Sequence, residues 1–166
     1  MKKLIGFALF LACMVTPAFA QMQYGIGWDD GYSIRMDAPK FSVQLTGKFD
    51  SVIPENDDLD TDTDAEVTIY GMYPFITADK SKLGVFGGFS LMPTTRSVVV
   101  GGRSYDKELD FGFRVGIEPQ TMLTDHIGLS GKIGMQFKLD QGYDGIDDSG
   151  ETDIGAWGSV GVHWYF

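Results

Sequence analysis

Apolar and polar side chains alternate with a period of two along most of the chain, and the alternation falls into eight runs. Tyr24, Ile26 and Trp28 alternate with Gly25, Gly27 and Asp29. After an Asp30-Gly31 turn signal, Tyr32, Ile34 and Met36 alternate with Ser33, Arg35 and Asp37. A third run sets Phe41, Val43, Leu45 and Phe49 against Ser42, Gln44, Thr46, Lys48 and Asp50. A fourth sets Val67, Ile69, Tyr73 and Phe75 against Glu66, Thr68, Tyr70 and Met72. The fifth carries Val85, Phe89 and Leu91 opposite Gly84, Phe86, Gly88 and Ser90, until Pro93 interrupts the ladder. The sixth alternates Leu109, Phe111, Phe113, Val115 and Ile117 with Glu108, Asp110, Gly112, Arg114 and Gly116. The seventh runs from Ile127 to Asp140, and the eighth from Thr152 to Phe166. No long stretch has a helical period, so the pattern predicts an all-β chain of eight antiparallel strands.

The connections alternate in length as well. Residues 38–40, 77–82 and 119–125 are short, whereas 53–64, 101–106 and 141–151 fall on the other side, two of them being about a dozen residues long and acidic. Short turns at one end and longer loops at the other are the habit of an up-and-down transmembrane barrel, and eight strands bring both chain ends to the short-turn side. A lipocalin-like soluble barrel would instead turn its apolar face inward, around a ligand. Glycine placement favours the first choice. Gly25, Gly27, Gly84, Gly88, Gly112, Gly116, Gly128, Gly134, Gly155 and Gly161 lie on the polar face, against Gly47, Gly71, Gly87, Gly131 and Gly158 on the apolar one, and small residues belong where a narrow interior is crowded.

With the polar face inside, Arg35, Lys48, Glu66, Asp110, Arg114 and Lys132 become lumen residues. Buried charges must pair, because an uncompensated ion in a low-dielectric site is costly. The expected lumen is therefore closed by salt bridges, with a narrow pore as the alternative.

The chain ends add a destination. Lys2 and Lys3 precede an apolar run from Leu4 to Val15 and a small-x-small site at Ala18-Phe19-Ala20, which reads as a secretory signal peptide over residues 1–20, leaving a barrel domain over 21–166. Its loss changes the formal charge from −10 to −12, which disfavours nucleic acid as a partner. Cys13, the only cysteine, leaves with it, so no disulfide or thiolate metal site is expected and no cofactor is implied. At the other end Ser159, Gly161, Trp164 and Phe166 form a polar, Gly, aromatic, aromatic series that resembles the assembly signal closing bacterial outer-membrane barrels.

Taken together, these residues resemble the small eight-stranded outer-membrane barrels typified by OmpX and the membrane domain of OmpA. The resemblance implies insertion by the barrel assembly machinery, and surroundings of outer-membrane lipid and lipopolysaccharide. The chain departs from that class in its very short first outer loop, around residues 29–31, which weakens any binding role for that loop.

Such a fold does not fix a function. His126, Ser130 and Glu118 are the set from which an outer-membrane lipid hydrolase could be built, but no oxyanion hole accompanies them, and no catalytic residue is assigned. Glu55, Asp57, Asp58, Asp60, Asp62 and Asp64 make an acidic outer loop. Asp60-x-Asp62-x-Asp64 resembles the start of a calcium loop, yet Ala65 and Gly71 stand where its Gly and closing Glu belong. Residues 93–100 are expected to pair with 104–109 as a hairpin above the membrane, with an edge open to an unknown surface partner. The reading is a monomeric, non-enzymatic outer-membrane barrel with a structural or surface-interaction role of the adhesion or defence type.

Overall fold

The computed structural model describes residues 22–52, 62–93, 97–100, 103–106, 109–140 and 151–166. The signal-peptide expectation and Glu55, Asp57, Asp58 and Asp60 lie outside them. The described residues form ten strands: β1 (Gln23–Asp29), β2 (Tyr32–Asp37), β3 (Ser42–Val52), β4 (Asp62–Ala78), β5 (Ser81–Met92), β6 (Ser97–Val100), β7 (Arg103–Asp106), β8 (Asp110–Met122), β9 (Ile127–Leu139) and β10 (Thr152–Tyr165). Eight of them close an antiparallel barrel in the order β1-β10-β9-β8-β5-β4-β3-β2, and β6 and β7 form a separate hairpin. The fold expected from the alternation is the fold observed.

The register fixes the shape. Gly25 is followed around the wall through Arg35, Gln44, Tyr70, Gly88, Arg114 and Gln136 to Gly155 of β10. The other partner of Gly25 is Tyr165, ten residues further along that same strand. A shear of ten over eight strands corresponds to a tilt of about 43° and a radius of roughly 8 Å, which is space for side chains and little else.

Several boundaries differ from those the sequence suggests. Residues 77–82 are not a loop: Thr77 pairs with Lys82 and Ala78 with Ser81, leaving a turn of Asp79 and Lys80. Pro119 is inside β8, opposite Leu83. A proline is tolerated there because the β8–β9 ladder skips Glu118 and Pro119, between Ile117↔Ile133 and Gln120↔Ser130, so its missing N–H breaks no recorded pair. Pro74 likewise sits at a register shift in β4. At the outer end, Asp62 and Asp64 are not loop residues, since they pair with Val52 and Asp50 in an extended β3–β4 ladder. The hairpin beyond Pro93 is shorter than expected, pairing Ser97–Val100 with Arg103–Asp106.

The faces follow the alternation. Ile26, Ile34, Leu45, Ile69, Val85, Phe113, Ile117, Ile133, Val162 and Trp164 are all exposed on the outside. Inside, the buried set is mostly polar: Asp29, Ser33, Arg35, Asp37, Gln44, Thr46, Thr68, Ser90, Arg114, Glu118, Gln120, Lys132 and His163. The glycines report the same division. A Cβ on Gly27, Gly116 or Gly134 would come within about 2 Å of a neighbouring strand's carbonyl oxygen, whereas one on Gly47, Gly71 or Gly87 would meet nothing within 4 Å. Most inward positions are crowded and most outward ones open; Gly155, inward but with nothing within 4 Å, and Gly158, outward but 3.2 Å from the Lys132 carbonyl oxygen, are exceptions. A lipocalin-like arrangement is therefore excluded, because it would bury the apolar face.

Candidate functional site

The strand register stacks the lumen side chains in tiers. At the short-turn end, Arg35 of β2 is 1 % exposed and sends Nε to Asp37 at 3.1 Å, while its Nη1 lies 2.5 Å from Glu118 Oε1. The same guanidinium donates to Gln44 Oε1 and Gln120 Oε1, both at 3.1 Å. Asp37 is then saturated by Gln120 Nε2 at 3.0 Å, by the Tyr165 hydroxyl at 2.5 Å and by Ser42. Each glutamine amide accepts from the cation and donates onward, carrying the network across strands that do not adjoin.

Above this tier, Lys132 of β9 pairs with Asp29 of β1 and donates to Gln44 Oε1 at 3.2 Å; Glu118 Oε2 lies 3.9 Å away. Asp29 also accepts from Ser159 Oγ at 2.6 Å and Gln44 Nε2 at 3.0 Å. Next comes an apolar layer, in which Tyr70, Met72 and Phe86 are buried with Trp157 packed against them. It is bracketed by cations, with Lys132 Nζ 4.8 Å from the Tyr70 ring centroid and the Arg114 guanidinium 4.6 Å from that of Trp157. The outermost tier holds Arg114 between Glu66 (2.6 Å), the Tyr70 hydroxyl (2.7 Å) and Gln136 Oε1 (2.8 Å).

Arg35, Arg114, Lys132 and Glu66 are thus brought into one stack of ion pairs. Lys48 is not among them: its side chain is 48 % exposed at the rim, 3.7 Å from Asp30, because β3 has risen past the end of β2 at that point. Asp110 is half-buried at the outer end of β8, away from the central tiers. Glu118 belongs at the centre. The sequence suggested it as the acid of a hydrolase, but its parity with Arg114 and Gly116 already pointed it inward. The bridging amides Gln44 and Gln120 and the Tyr165 hydroxyl carry no charge, which is why charge pairing alone passed over them.

The hydrolase set is not assembled. Glu118 is engaged by Arg35 and Lys132, and the Ser130 hydroxyl is buried without a hydrogen bond among the described residues. His126 is exposed on the β8–β9 turn, its Nδ1 3.1 Å from the Tyr165 carbonyl and its ring 6.0 Å from that of the outward Trp164. Three groups held in lumen and turn cannot share a proton. Nor do the described residues contain a group of three or more His, Cys, Asp or Glu able to hold a metal ion.

Ion pairs within and an apolar girdle without invert the arrangement of a water-soluble protein, and they match a wall that meets hydrocarbon. The chain is a closed eight-stranded antiparallel barrel with its apolar face outward. Its apolar face on β9, from Ile127 to Leu139, climbs about 29 Å at the tilt given above, enough for a girdle of about 25 Å. Tyr24, Trp28, Tyr32 and Trp164 supply interfacial and girdle aromatics. Phe166 ends the seam, its N–H donating to the Tyr24 carbonyl at 3.0 Å. Ser159 and Gly161 face inward on β10, while Trp164 and Phe166 are exposed on the outside.

No protein-family description and no curated protein matches this sequence. Among solved structures, the chain is similar to Neisserial surface protein A, with a TM-score of 0.46 and 18 % identity over 87 % of this chain and 93 % of that one. It is similar to outer membrane protein H of P. aeruginosa, with a TM-score of 0.47 and 14 % identity over 88 % and 99 %. It is also similar to Ail, the attachment invasion locus protein of Yersinia pestis, with a TM-score of 0.41 and 12 % identity over 87 % and 93 %.

Proposed function

We propose that this protein is a monomeric, non-conducting, non-enzymatic barrel of the bacterial outer membrane, acting through the ends of its strands and loops on the cell surface. The observation that carries this reading is the filled lumen. Tiers of ion pairs from Asp37 to Arg114, with Tyr70, Phe86 and Trp157 between them, leave the interior to side chains, so the wall serves as an anchor and a display platform. Residues 1–20 direct export. The series Ser159, Gly161, Trp164 and Phe166 is what the assembly machinery reads, and lipopolysaccharide and phospholipid are the solvent of the girdle. The β6–β7 hairpin and the acidic segment containing Glu55, Asp57, Asp58 and Asp60 supply the surface through which a partner is met. The test combines fractionation with planar bilayers. The barrel should sediment with outer membranes, change its gel mobility on boiling and give no steady single-channel current. Recovery in the osmotic-shock fluid would refute the location, and stepwise conductance would refute the plug.

A further inference from the structure

The seam between β1 and β10 is the shortest ladder among the described strands of the barrel, running only from Gly25↔Tyr165 to Asp29↔Gly161. Backbone pairing alone would make it the place where the wall parts most easily. Its outward pairs are Ile26↔Trp164 and Trp28↔Val162, which leaves Gly25↔Tyr165, Gly27↔His163 and Asp29↔Gly161 facing the lumen. Each of these three sets one glycine against one polar side chain. The glycine belongs to β1 in the first two pairs and to β10 in the third.

Strands two apart in a sheet are separated by roughly 10 Å at the backbone, and the side chain of the strand between them normally blocks the way. A glycine at that middle position clears it. Gly27 pairs with His163 on one side and Ser33 on the other, and His163 Nε2 shares a hydrogen bond with Ser33 Oγ at 2.9 Å. Gly25 lies between Tyr165 and Arg35, and the Tyr165 hydroxyl passes over it to donate to Asp37 Oδ2, the next inward residue of β2, at 2.5 Å. Gly161 lies between Asp29 and Ser130, and Asp29 reaches over it to Lys132, the next inward residue of β9, while accepting from Ser159 Oγ at 2.6 Å. Two links therefore run from β10 over β1 to β2, and one runs from β1 over β10 to β9. The cleared positions have no room to spare. A Cβ on Gly25 would stand 3.0 Å from the Tyr165 ring, and one on Gly161 would stand 2.8 Å from Asp29 Cγ. Tyr165, His163 and Asp29 are all buried, so water does not compete for these bonds.

We propose that these crossed links form a clasp that locks the seam from inside and keeps the finished barrel from opening sideways at its shortest ladder. The clasp goes beyond the anchoring role above, since it concerns the wall itself and holds whether or not a surface partner exists. It is tested by hydrogen–deuterium exchange on the full barrel in phospholipid nanodiscs, comparing amides of 25–29 and 161–165 with those of 67–73 and 85–91 in the β4–β5 ladder. Tyr165→Phe keeps the ring and removes a hydrogen bond to a carboxylate, so seam exchange should quicken roughly tenfold or more while β4–β5 keeps the parent rate. Ser33→Ala, which breaks the link to His163, should quicken the same amides by a smaller factor. Thr68→Ala removes a lumen hydrogen bond to Ser90 of 2.7 Å away from the seam, and should leave seam exchange unchanged. Equal quickening of both ladders in Tyr165→Phe would overturn the clasp, because the hydroxyl would then serve only overall stability. Seam exchange at the parent rate in that variant, or quickened as much by Thr68→Ala, would overturn it too. If Tyr165→Phe yields no folded barrel, Ser33→Ala decides by the same three outcomes.

Discussion

Replacing Arg35 with methionine keeps most of the side-chain volume and removes the charge that holds the lower tier. The inner cluster contains three carboxylates, Asp29, Asp37 and Glu118, against Arg35 and Lys132; the variant leaves three acids facing one ammonium. Asp37 and Glu118 are 3 % and 1 % exposed, so neither can turn to water. Breaking a buried pair by removing one partner costs about 3–5 kcal/mol, and the two glutamine acceptors left without the guanidinium add about 1 kcal/mol each. Protonating a carboxyl of ordinary acidity at pH 7 costs about 4 kcal/mol, so this escape sets a ceiling of the same size. The expected loss is therefore about 5–6 kcal/mol. Glu118→Gln is the informative comparison: it leaves two acids and two bases, keeps Arg35 on Asp37, and should cost only about 1–2 kcal/mol. The double variant should be more stable than Arg35→Met alone, since one orphaned charge has gone. Urea titration of barrels in vesicles, read by the heat-modifiable band and by tryptophan fluorescence, gives the three values. Arg35→Met within 1 kcal/mol of the parent, or Glu118→Gln the worse of the pair, would refute the tiered ion-pair account.

The wall itself makes further predictions. Gly116→Val and Gly134→Val place a Cβ about 2 Å from the backbone oxygens of Ile133 and Val115, which cannot move without parting β8 from β9. Folded yield should fall by tenfold or more, while Gly71→Val and Gly87→Val, which meet open space, should fold as the parent does by gel shift. Deleting Phe166 removes the N–H bond to Tyr24 and the last residue of the terminal series, and should reduce assembled barrel in cells severalfold; neutralising the aspartates at 57, 58, 60, 62 and 64 should not. Equal amounts of heat-modifiable protein from those two variants would count against the role given to the tail.

Much of this architecture could be read from parity alone, because a one-residue slip in a barrel strand exchanges lumen for lipid and the pattern must be strict. Trp157, Tyr70 and Phe86 show where parity outdoes hydrophobicity: they are large and apolar, yet their positions put them inside, where Trp157 stacks on Tyr70 at 6.1 Å and Phe86 meets Tyr70 edge-on at 5.9 Å. Turn residues misled. Residues 77–82 and Pro119 read as connections, but Thr77 pairs with Lys82 and a ladder gap lets Pro119 remain in a strand. The unequal height of β2 and β3 was invisible for a different reason. The brevity of the first outer turn is plain in Asp30-Gly31, but how far β3 and β10 rise beside it depends on the stagger of the whole wall, which no single strand encodes. For the same reason Lys48 was placed in the lumen and is found at the rim.

The β1–β10 seam has a consequence for the order in which the molecule is made. β1–β2, β2–β3, β3–β4, β4–β5, β8–β9 and β9–β10 each join neighbours in the sequence, and β5–β8 skips only a short hairpin. The seam alone unites the first strand with the last, from Gly25↔Tyr165 to Asp29↔Gly161. All the other ladders can zip locally, whereas this one carries the loop-closure entropy of nearly the whole chain and waits for the final strand to emerge. Until then the protein is an open sheet with two sticky margins, and a chain truncated before β10 has no route to lose them. Its fate should be pairing with other chains, so escort of the unfinished sheet is a requirement written into its topology.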